Sequence, residues 1–467
     1  VDISFGTDGW RARMDQLFTT DNVKIVAQGI ADYVFDRNLA KKGLMIGYDT
    51  RAKSKEFART CAQVMSGNEI PVYLANRAMP TPITAFAITH FKAAGAIMLT
   101  ASHNPPEYNG IKFIPEYAGP ANPEITGRIV ENITKLSSAD VKEAGNGKLI
   151  ELVDPVPPYI DYIRKLVDFD ALKSKRFKVV LDPMYGAGYG IIDEIFSQAG
   201  AEVSAIHNYE DSSFGGKLPD PSLENLSELR TLVMDHGADL GLALDGDADR
   251  FGAIDESGEY IRANKVLALL SYHLIKNRGF KGSLVRSIAT THLLDAIAKG
   301  YNIELIETPK VGFKFIAEVV LEKPVILGGE ESGGLCIGGS IPEKDGILAD
   351  LLLAEMKTYE NKSLSQLLQE IHEKFGHFTD ERLDIKFPLE EKEGLLNRLI
   401  SDAPEAVAGK KLKHITTSDG VRYSFEEGDW ILVRPSGTEP LVRIYLESSS
   451  NQRFRQLKDF ARSLIES

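Results

Sequence analysis

The sequence predicts an α/β protein of three similar α/β/α domains with mixed or parallel sheets, followed by a C-terminal α+β domain. Three observations carry this. The chain has 467 residues, too many for one core at roughly 100–200 residues per domain. Short apolar runs alternate with amphipathic helical stretches in the same order three times over, the pattern of sheets covered by helices on both faces. Beyond residue 376 the pattern changes to alternating strands, a hairpin and two helices, which suits an α+β unit. The expected domains are 1–150, 151–258, 259–372 and 373–467.

In the first repeat, 43–48 reads as a strand, 54–66 as a helix, 71–74 as a strand and 82–90 as a helix. The apolar run 95–100 then leads into Ala101-Ser102-His103-Asn104-Pro105. In the second repeat, strand 178–181, helix 190–198, strand 202–206, helix 223–235 and the run 239–244 end at Asp245-Gly246-Asp247-Ala248-Asp249-Arg250. In the third, strand 283–286, helix 291–298, strand 303–306, helix 313–320 and the run 324–327 end at Gly328-Gly329-Glu330-Glu331-Ser332-Gly333. All three polar loops therefore fall beyond the carboxyl end of a strand, where open α/β sheets bind ligands. The last unit reads as an alternating stretch at 381–387, a helix at 389–401 and a hairpin at 413–425 around Asp419-Gly420. Two strands, 430–433 and 441–447, then flank the loop 434–440, and a closing helix spans 452–465. No low-complexity linker separates the units, so they are expected to pack around a common cleft.

Composition narrows the function. With 54 Lys plus Arg against 67 Asp plus Glu, the net charge is −13 and no basic run occurs, which argues against nucleic acid as a partner. The apolar stretches are broken by charges well short of the about 18 residues that a membrane span needs. The first thirty residues carry Asp, Arg and Lys without an apolar stretch, so no secretory signal is read there. Cys61 and Cys336 are the two cysteines; they allow no disulfide framework and fit a reducing cytoplasm.

The acidic loop is the most specific chemical signal. Asp245, Asp247 and Asp249 alternate and can converge on one hard divalent cation. An EF-hand would need Gly at the sixth position, where Arg250 stands, and helices where the flanks read as strands. Mg²⁺ fits better, completed by water or phosphate oxygens; the plain alternative is an Asp-rich surface turn. Ser102 offers a hydroxyl nucleophile beside His103, though Ser-His neighbours are more often a capping hydroxyl and a surface imidazole. Lys112 follows what reads as a turn at Asn109-Gly110, and its plain alternative is a solvated lysine. Glu330 and Ser332 supply the acceptor and donor that sugar hydroxyls need, or else belong to a mobile glycine loop. Arg434, Ser436, Gly437 and Thr438 can enclose a phosphate, or form an ordinary Pro-Ser-Gly turn. Gly186, Gly188 and Gly190 are spaced G-x-G-x-G, which misses the dinucleotide fingerprint. No Walker-type loop occurs either, so no nucleotide cofactor is expected.

Together and in this order, the four loops resemble the α-D-phosphohexomutase family, the phosphoglucomutases and phosphomannomutases. The resemblance runs from Phe5-Gly6-Thr7-Asp8-Gly9-Trp10-Arg11 to the loop 434–440. It implies a four-domain, heart-shaped enzyme with one cleft. Ser102 matches the family's phosphoserine, Asp245, Asp247 and Asp249 the ligands of one Mg²⁺ bridged to it, and His103 and Lys112 the proton-transfer positions. Arg11 and Arg250 match cleft cations near the serine. Glu330 and Ser332 match the sugar-recognition loop, Lys314 a lysine supporting substrate phosphate, and Arg434, Ser436, Gly437 and Thr438 the distal phosphate clamp.

The activity so implied interconverts α-D-glucose 1-phosphate and glucose 6-phosphate through a phosphoserine and glucose 1,6-bisphosphate, which also serves as activator. Gly329-Glu330-Glu331-Ser332-Gly333 with Gly312-Phe313-Lys314-Phe315 is similar to glucose-using members; glucosamine-phosphate mutases typically carry Gln where Glu331 stands. A bifunctional glucose/mannose mutase is the runner-up, since one hydroxyl gives only a modest preference. A catalytically idle sugar-phosphate sensor and a Mg²⁺-dependent phosphatase are the readings from other classes. The expected state is a cytoplasmic monomer or weak homodimer.

Overall fold

The computed structural model describes residues 3, 5, 9–144, 147–436 and 440–466. Its first three units share one sheet plan, read most clearly in the order of pairing. In the second unit, strand Lys178–Asp182 lies between Glu202–Ala205 and Leu240–Leu244, parallel to both. Strand Phe251–Asp255 then turns back antiparallel on Leu240–Leu244. The first unit repeats this with Leu44–Tyr48 between Val72–Ala75 and Gly95–Leu99, and with Tyr108–Pro115 as the antiparallel return. The third uses Ser283–Ser287 between Leu305–Thr308 and Val325–Glu330, with Gly334–Ile337 returning. Each unit thus presents one hairpin turn at the carboxyl end of its third strand, and those turns are the three polar loops. The sheets are mixed, because that return strand is antiparallel.

Burial explains the strand composition. Gly95–Leu99, Leu240–Leu244 and Val325–Glu330 are buried along their whole lengths, so they read as continuous apolar runs without alternation. The helix Gly346–Glu360 begins where the Asp345 carboxylate accepts the Leu348 amide at 2.9 Å, a side-chain N-cap.

Three expectations need correction. Asn109-Gly110 is no turn: both lie inside strand Tyr108–Pro115, where Arg11 pairs with Gly110. The Asn109 side chain is spent on Ala52 O and Ser54 Oγ. Gly328 and Gly329 belong to a strand, not a mobile loop. A Cβ on Gly329 would meet Leu267 Cδ2 at 2.3 Å and one on Gly328 would meet Ile316 Cγ2 at 2.6 Å, so these glycines let helices pack close to the sheet. The 150/151 boundary cuts a strand, since Ile150–Val153 pairs parallel with Val72–Ala75 and completes the first sheet.

The fourth unit is an antiparallel sheet of six strands, from Thr379–Lys386 through Leu441–Ser448 and Trp430–Pro435 to Ala406–Val407. One buried apolar cluster runs through the first three units, whereas the fourth has its own. Between them lies a small patch in which Ile288, Ala289 and Val311 meet Trp430, Leu432 and Tyr445. Among the described residues, no helix is long and apolar enough to cross a membrane.

Candidate active site

The serine loop of the first unit and the acidic loop of the second meet in a buried contact. Ser102 has a left-handed backbone with φ 49, uncommon for a residue with a side chain. Its amide donates to Thr100 Oγ1 at 2.8 Å, and its hydroxyl donates to Asp245 Oδ2 at 2.7 Å. His103 Nδ1 stands 3.4 Å from the same hydroxyl. The acidic loop is a tight turn in which the Arg250 amide donates to Asp245 Oδ1 at 3.0 Å. Strands flank it on both sides, as the departure from an EF-hand requires.

Ligand oxygens of Asp245, Asp247 and Asp249 lie within 4.8 Å of one another, and all three residues are buried. Asp247 Oδ1 and Asp249 Oδ1 have no hydrogen-bond partner. Buried carboxylate oxygens without partners are costly, and a divalent cation satisfies them, so the donor set fits one hard metal ion.

Cations surround this cluster. Lys112 Nζ donates to Asp247 Oδ2 at 2.9 Å and to Asp249 Oδ2 at 3.0 Å. It is buried, so it is no solvated surface lysine. Lys344 reaches Asp249 Oδ2 at 2.7 Å, and Thr81 Oγ1 donates to Asp247 Oδ2 at 2.7 Å. Burial and the two neighbouring carboxylates push the Asp245 carboxyl well above its usual range. Burial acts the same way on Asp247, yet Lys112 and Lys344 outweigh it and hold that group low. The positive charge of Arg250, then burial and Arg11, drives the His103 imidazole well below its ordinary value. Arg11 donates to Asn104 Oδ1 at 2.9 Å, which ties it to the serine loop.

In the third unit, Ser332 Oγ donates to Glu330 Oε1 at 2.8 Å, while Glu330 Oε2 is buried without a partner. Burial and the adjacent Glu331 raise the Glu330 carboxyl to about 7. Glu331 is turned into its own unit, accepting from Ser287 Oγ at 3.0 Å and Thr290 Oγ1 at 3.3 Å. The Lys314 ammonium lies 5.4 Å from the Phe315 ring centroid. In the fourth unit, Arg434 Nε donates to Asp419 Oδ2 at 2.8 Å, and Lys392 donates to the Ser436 carbonyl. Gly437 and Thr438 lie outside the described residues.

The structure therefore gathers Ser102, His103, Lys112, Arg250 and the three aspartates into one cluster, with Arg11 attached through Asn104. Glu330 lies within the electrostatic reach of Lys344 and Arg250, and Phe251 N donates to Gly333 O at 3.3 Å beside it, whereas Lys314, and Arg434 with Ser436, stand on their own elements. Sequence reasoning missed Lys344, Thr81 and Asp419, each of which contacts a charged residue of the candidate site. A Cβ on Gly334 would meet the Lys344 Cδ at 2.5 Å, so this glycine leaves room for the lysine stem. The G-x-G-x-G run also has a use. Ala187 N donates to Gly246 O at 2.9 Å, and a Cβ on Gly186 would strike that same carbonyl; the run braces the acidic loop.

A buried hydroxyl against an acidic triad backed by lysines has the charge arrangement that phosphoryl transfer needs. The chain belongs to the phosphoglucomutase/phosphomannomutase family of phosphohexomutases. Family models for its α/β/α domains I, II and III match residues 2–140, 157–258 and 262–375, and the C-terminal domain model matches 385–464. The chain is 33% identical over 464 residues to a phosphoglucomutase/phosphomannomutase of Thermococcus kodakarensis, covering 99% of this chain and 98% of that protein. It is also 33% identical over 471 residues to a probable phosphoglucosamine mutase of Methanothermobacter thermautotrophicus, covering 99% and 97%. A crystal structure of a putative phosphomannomutase from Thermus thermophilus matches with a TM-score of 0.87 at 31% identity, covering both chains fully.

Proposed function

We propose that this phosphohexomutase interconverts α-D-glucose 1-phosphate and glucose 6-phosphate through a phosphoryl group carried on Ser102. The observation that carries the reading is the 2.7 Å contact of Ser102 Oγ with Asp245, inside a carboxylate cluster charge-balanced by Lys112 and Lys344. Asp245, Asp247 and Asp249, with Ser102, would hold one Mg²⁺, which when bound neutralises charge on the transferring phosphoryl oxygens. His103 and Lys112 stand where a sugar hydroxyl must lose its proton as the phosphoryl group passes to it. Arg250 and Arg11 offset the charge of a phosphorylated Ser102.

The hexose monophosphate binds with its phosphate at Arg434, Ser436, Gly437 and Thr438, supported by Lys314, and its free hydroxyl at Ser102. Transfer yields glucose 1,6-bisphosphate, which turns over and returns its other phosphate to the serine. Glu330 and Ser332 hold sugar hydroxyls in both orientations, and the mixed acceptor and donor character of that pair suits this task.

A dual glucose/mannose or a glucosamine preference is the second reading, because relatives at the same identity carry those names. The test supplies Mg²⁺, a trace of glucose 1,6-bisphosphate and each 1-phosphate in turn, and measures 6-phosphate against inorganic phosphate. A mutase gives isomer without phosphate release. Phosphate release instead indicates a phosphatase, and neither product indicates a sensor. The ratio of kcat/KM among glucose, mannose and glucosamine 1-phosphates ranks the sugars.

A further inference from the structure

One side chain outside the assigned site holds the whole serine loop. Arg51 follows strand Leu44–Tyr48 and is 3% exposed. Its guanidinium donates to Ser102 O, to Asn104 O at 2.6 Å, to Pro105 O at 2.7 Å and to Tyr108 O at 3.1 Å. Four carbonyls from residues 102–108 thus converge on one planar fork. The fork is oriented by Asp49, whose Oδ2 is 3.2 Å from Arg51 Nε and whose Oδ1 accepts the Arg51 amide at 3.0 Å. Its face lies 5.0 Å from the ring centroid of Phe214, which the second unit supplies. The same Ser102 carbonyl is crowded by the acidic loop, where a Cβ on Gly246 would meet it at 2.7 Å. The Ser102 peptide is therefore wedged between Arg51 and the acidic loop, in a left-handed conformation it would not adopt unaided.

We propose that Arg51, held against Phe214, is the positioning residue that fixes the peptide of Ser102 and so aims its hydroxyl at the acidic triad. The inference rests on the mutase reading above. No lysine can replace this arginine, because an ammonium has three donors in a tetrahedral array and cannot meet four coplanar-fork acceptors. The side chain is buried and both its terminal nitrogens donate to backbone carbonyls, so its role is positioning. Its effect is on the attack geometry, and a displacement of about 1 Å at a reacting atom costs on the order of 10²-fold in rate.

The test compares the parent chain with Arg51→Lys, Phe214→Leu and, as a control at the same boundary, Arg77→Lys. Arg77 also joins the first two units, donating to Tyr189 O at 2.7 Å and lying 5.2 Å from the Tyr189 ring centroid, with no contact to the serine loop. Phosphoryl loading from glucose 1,6-bisphosphate is followed by intact mass, glucose 6-phosphate affinity by calorimetry and turnover by coupled assay. For Arg51→Lys, loading and kcat fall about 10²-fold while KM and affinity stay within about threefold, a split that general loosening would not give. Phe214→Leu lowers loading by about tenfold with the thermal midpoint kept within a few degrees, so the proposal stays exposed even if Arg51→Lys fails to fold. Arg77→Lys loads at the parent rate. Parent-like loading in either Arg51→Lys or Phe214→Leu overturns the role, and so does an equal loss in Arg77→Lys. A parent chain that neither loads nor isomerises overturns the mutase reading itself, a distinct outcome.

Discussion

The serine and acidic loops differ from the proposed phosphate clamp of the fourth unit in how they are held. Around Ser102 the partners are buried: Lys112 and Lys344 on Asp247 and Asp249, Arg51 on the loop carbonyls. At the clamp, Arg434 is partly exposed, and its guanidinium is paired with Asp419 from the neighbouring hairpin. That hairpin docks on the third unit, with Ser418 Oγ donating to Pro309 O at 2.6 Å and the Val311 amide to Asp419 at 2.9 Å. The first arrangement sits within a core continuous over three units; the second rides on a unit with a core of its own. Under the proposed mutase reading, chemistry belongs to the first end, and the other end accepts two orientations of one sugar.

The largest effect expected from this contrast is at the nucleophile. Ser102→Ala should lower isomerisation by about 10⁴-fold or more and abolish the phosphoryl mass increment; a persisting increment would move the nucleophile elsewhere. Next is Lys112→Met, which leaves two buried carboxylates without their shared cation. We expect kcat to fall about 10²–10³-fold and the metal-free protein to lose about 2–4 kcal/mol in denaturant unfolding. Asp419→Ala acts at the clamp and should change KM about three- to tenfold with kcat nearly constant. If it changes kcat and not KM, the division between the two ends is wrong.

The smallest effect concerns the boundary that carries the clamp. Glu447 is buried there and accepts from Thr291 Oγ1, the His292 amide and Trp430 Nε1. Burial, with Asp380 beside it, raises its carboxyl to about 7. A carboxyl raised in the folded chain binds its proton more tightly there than in the unfolded one. Its stabilising contribution is complete below the ordinary range near 4.5 and is lost as pH rises through about 7. Between pH 5 and 8 the parent should therefore lose about 1–3 kcal/mol through this group. Glu447→Gln should flatten that slope in unfolding curves recorded across the range; an unchanged slope would assign the pH dependence to other groups.

Much of the site was legible because its residues cluster in short loops at strand ends. Ser102, Asp245, Asp247, Asp249, Glu330 and Arg434 each stand in a local motif whose spacing matters. Arg51 and Lys344 were not legible, since each is a lone cation in its own segment and gains meaning only across folded units. Lys112 was half legible: Asn109-Gly110 has the composition of a turn, but the Asn109 side chain is consumed by Ala52 and Ser54, which keeps the strand extended. The threefold order of elements was readable from periodicity. The antiparallel return strands were harder, because a buried apolar run has no direction written into it.

Beside the Asp245 side chain that accepts the Arg250 amide, main-chain atoms of other segments hold the acidic loop. Gly246 is gripped through its carbonyl by Ala187 and through its amide by Pro219, and the Gly346 amide donates to Ala248 O. Gly186 and Gly346 leave no room for a methyl group against Gly246 O and Arg250 O. A methyl group at Gly186, Gly246 or Gly346 would strike a backbone carbonyl, so alanine at any of the three would disturb the turn even though none of them faces the cation site. Descendants of this sequence are free to vary the residues that face the ligand, and so their sugar, without recasting the turn that holds the charge.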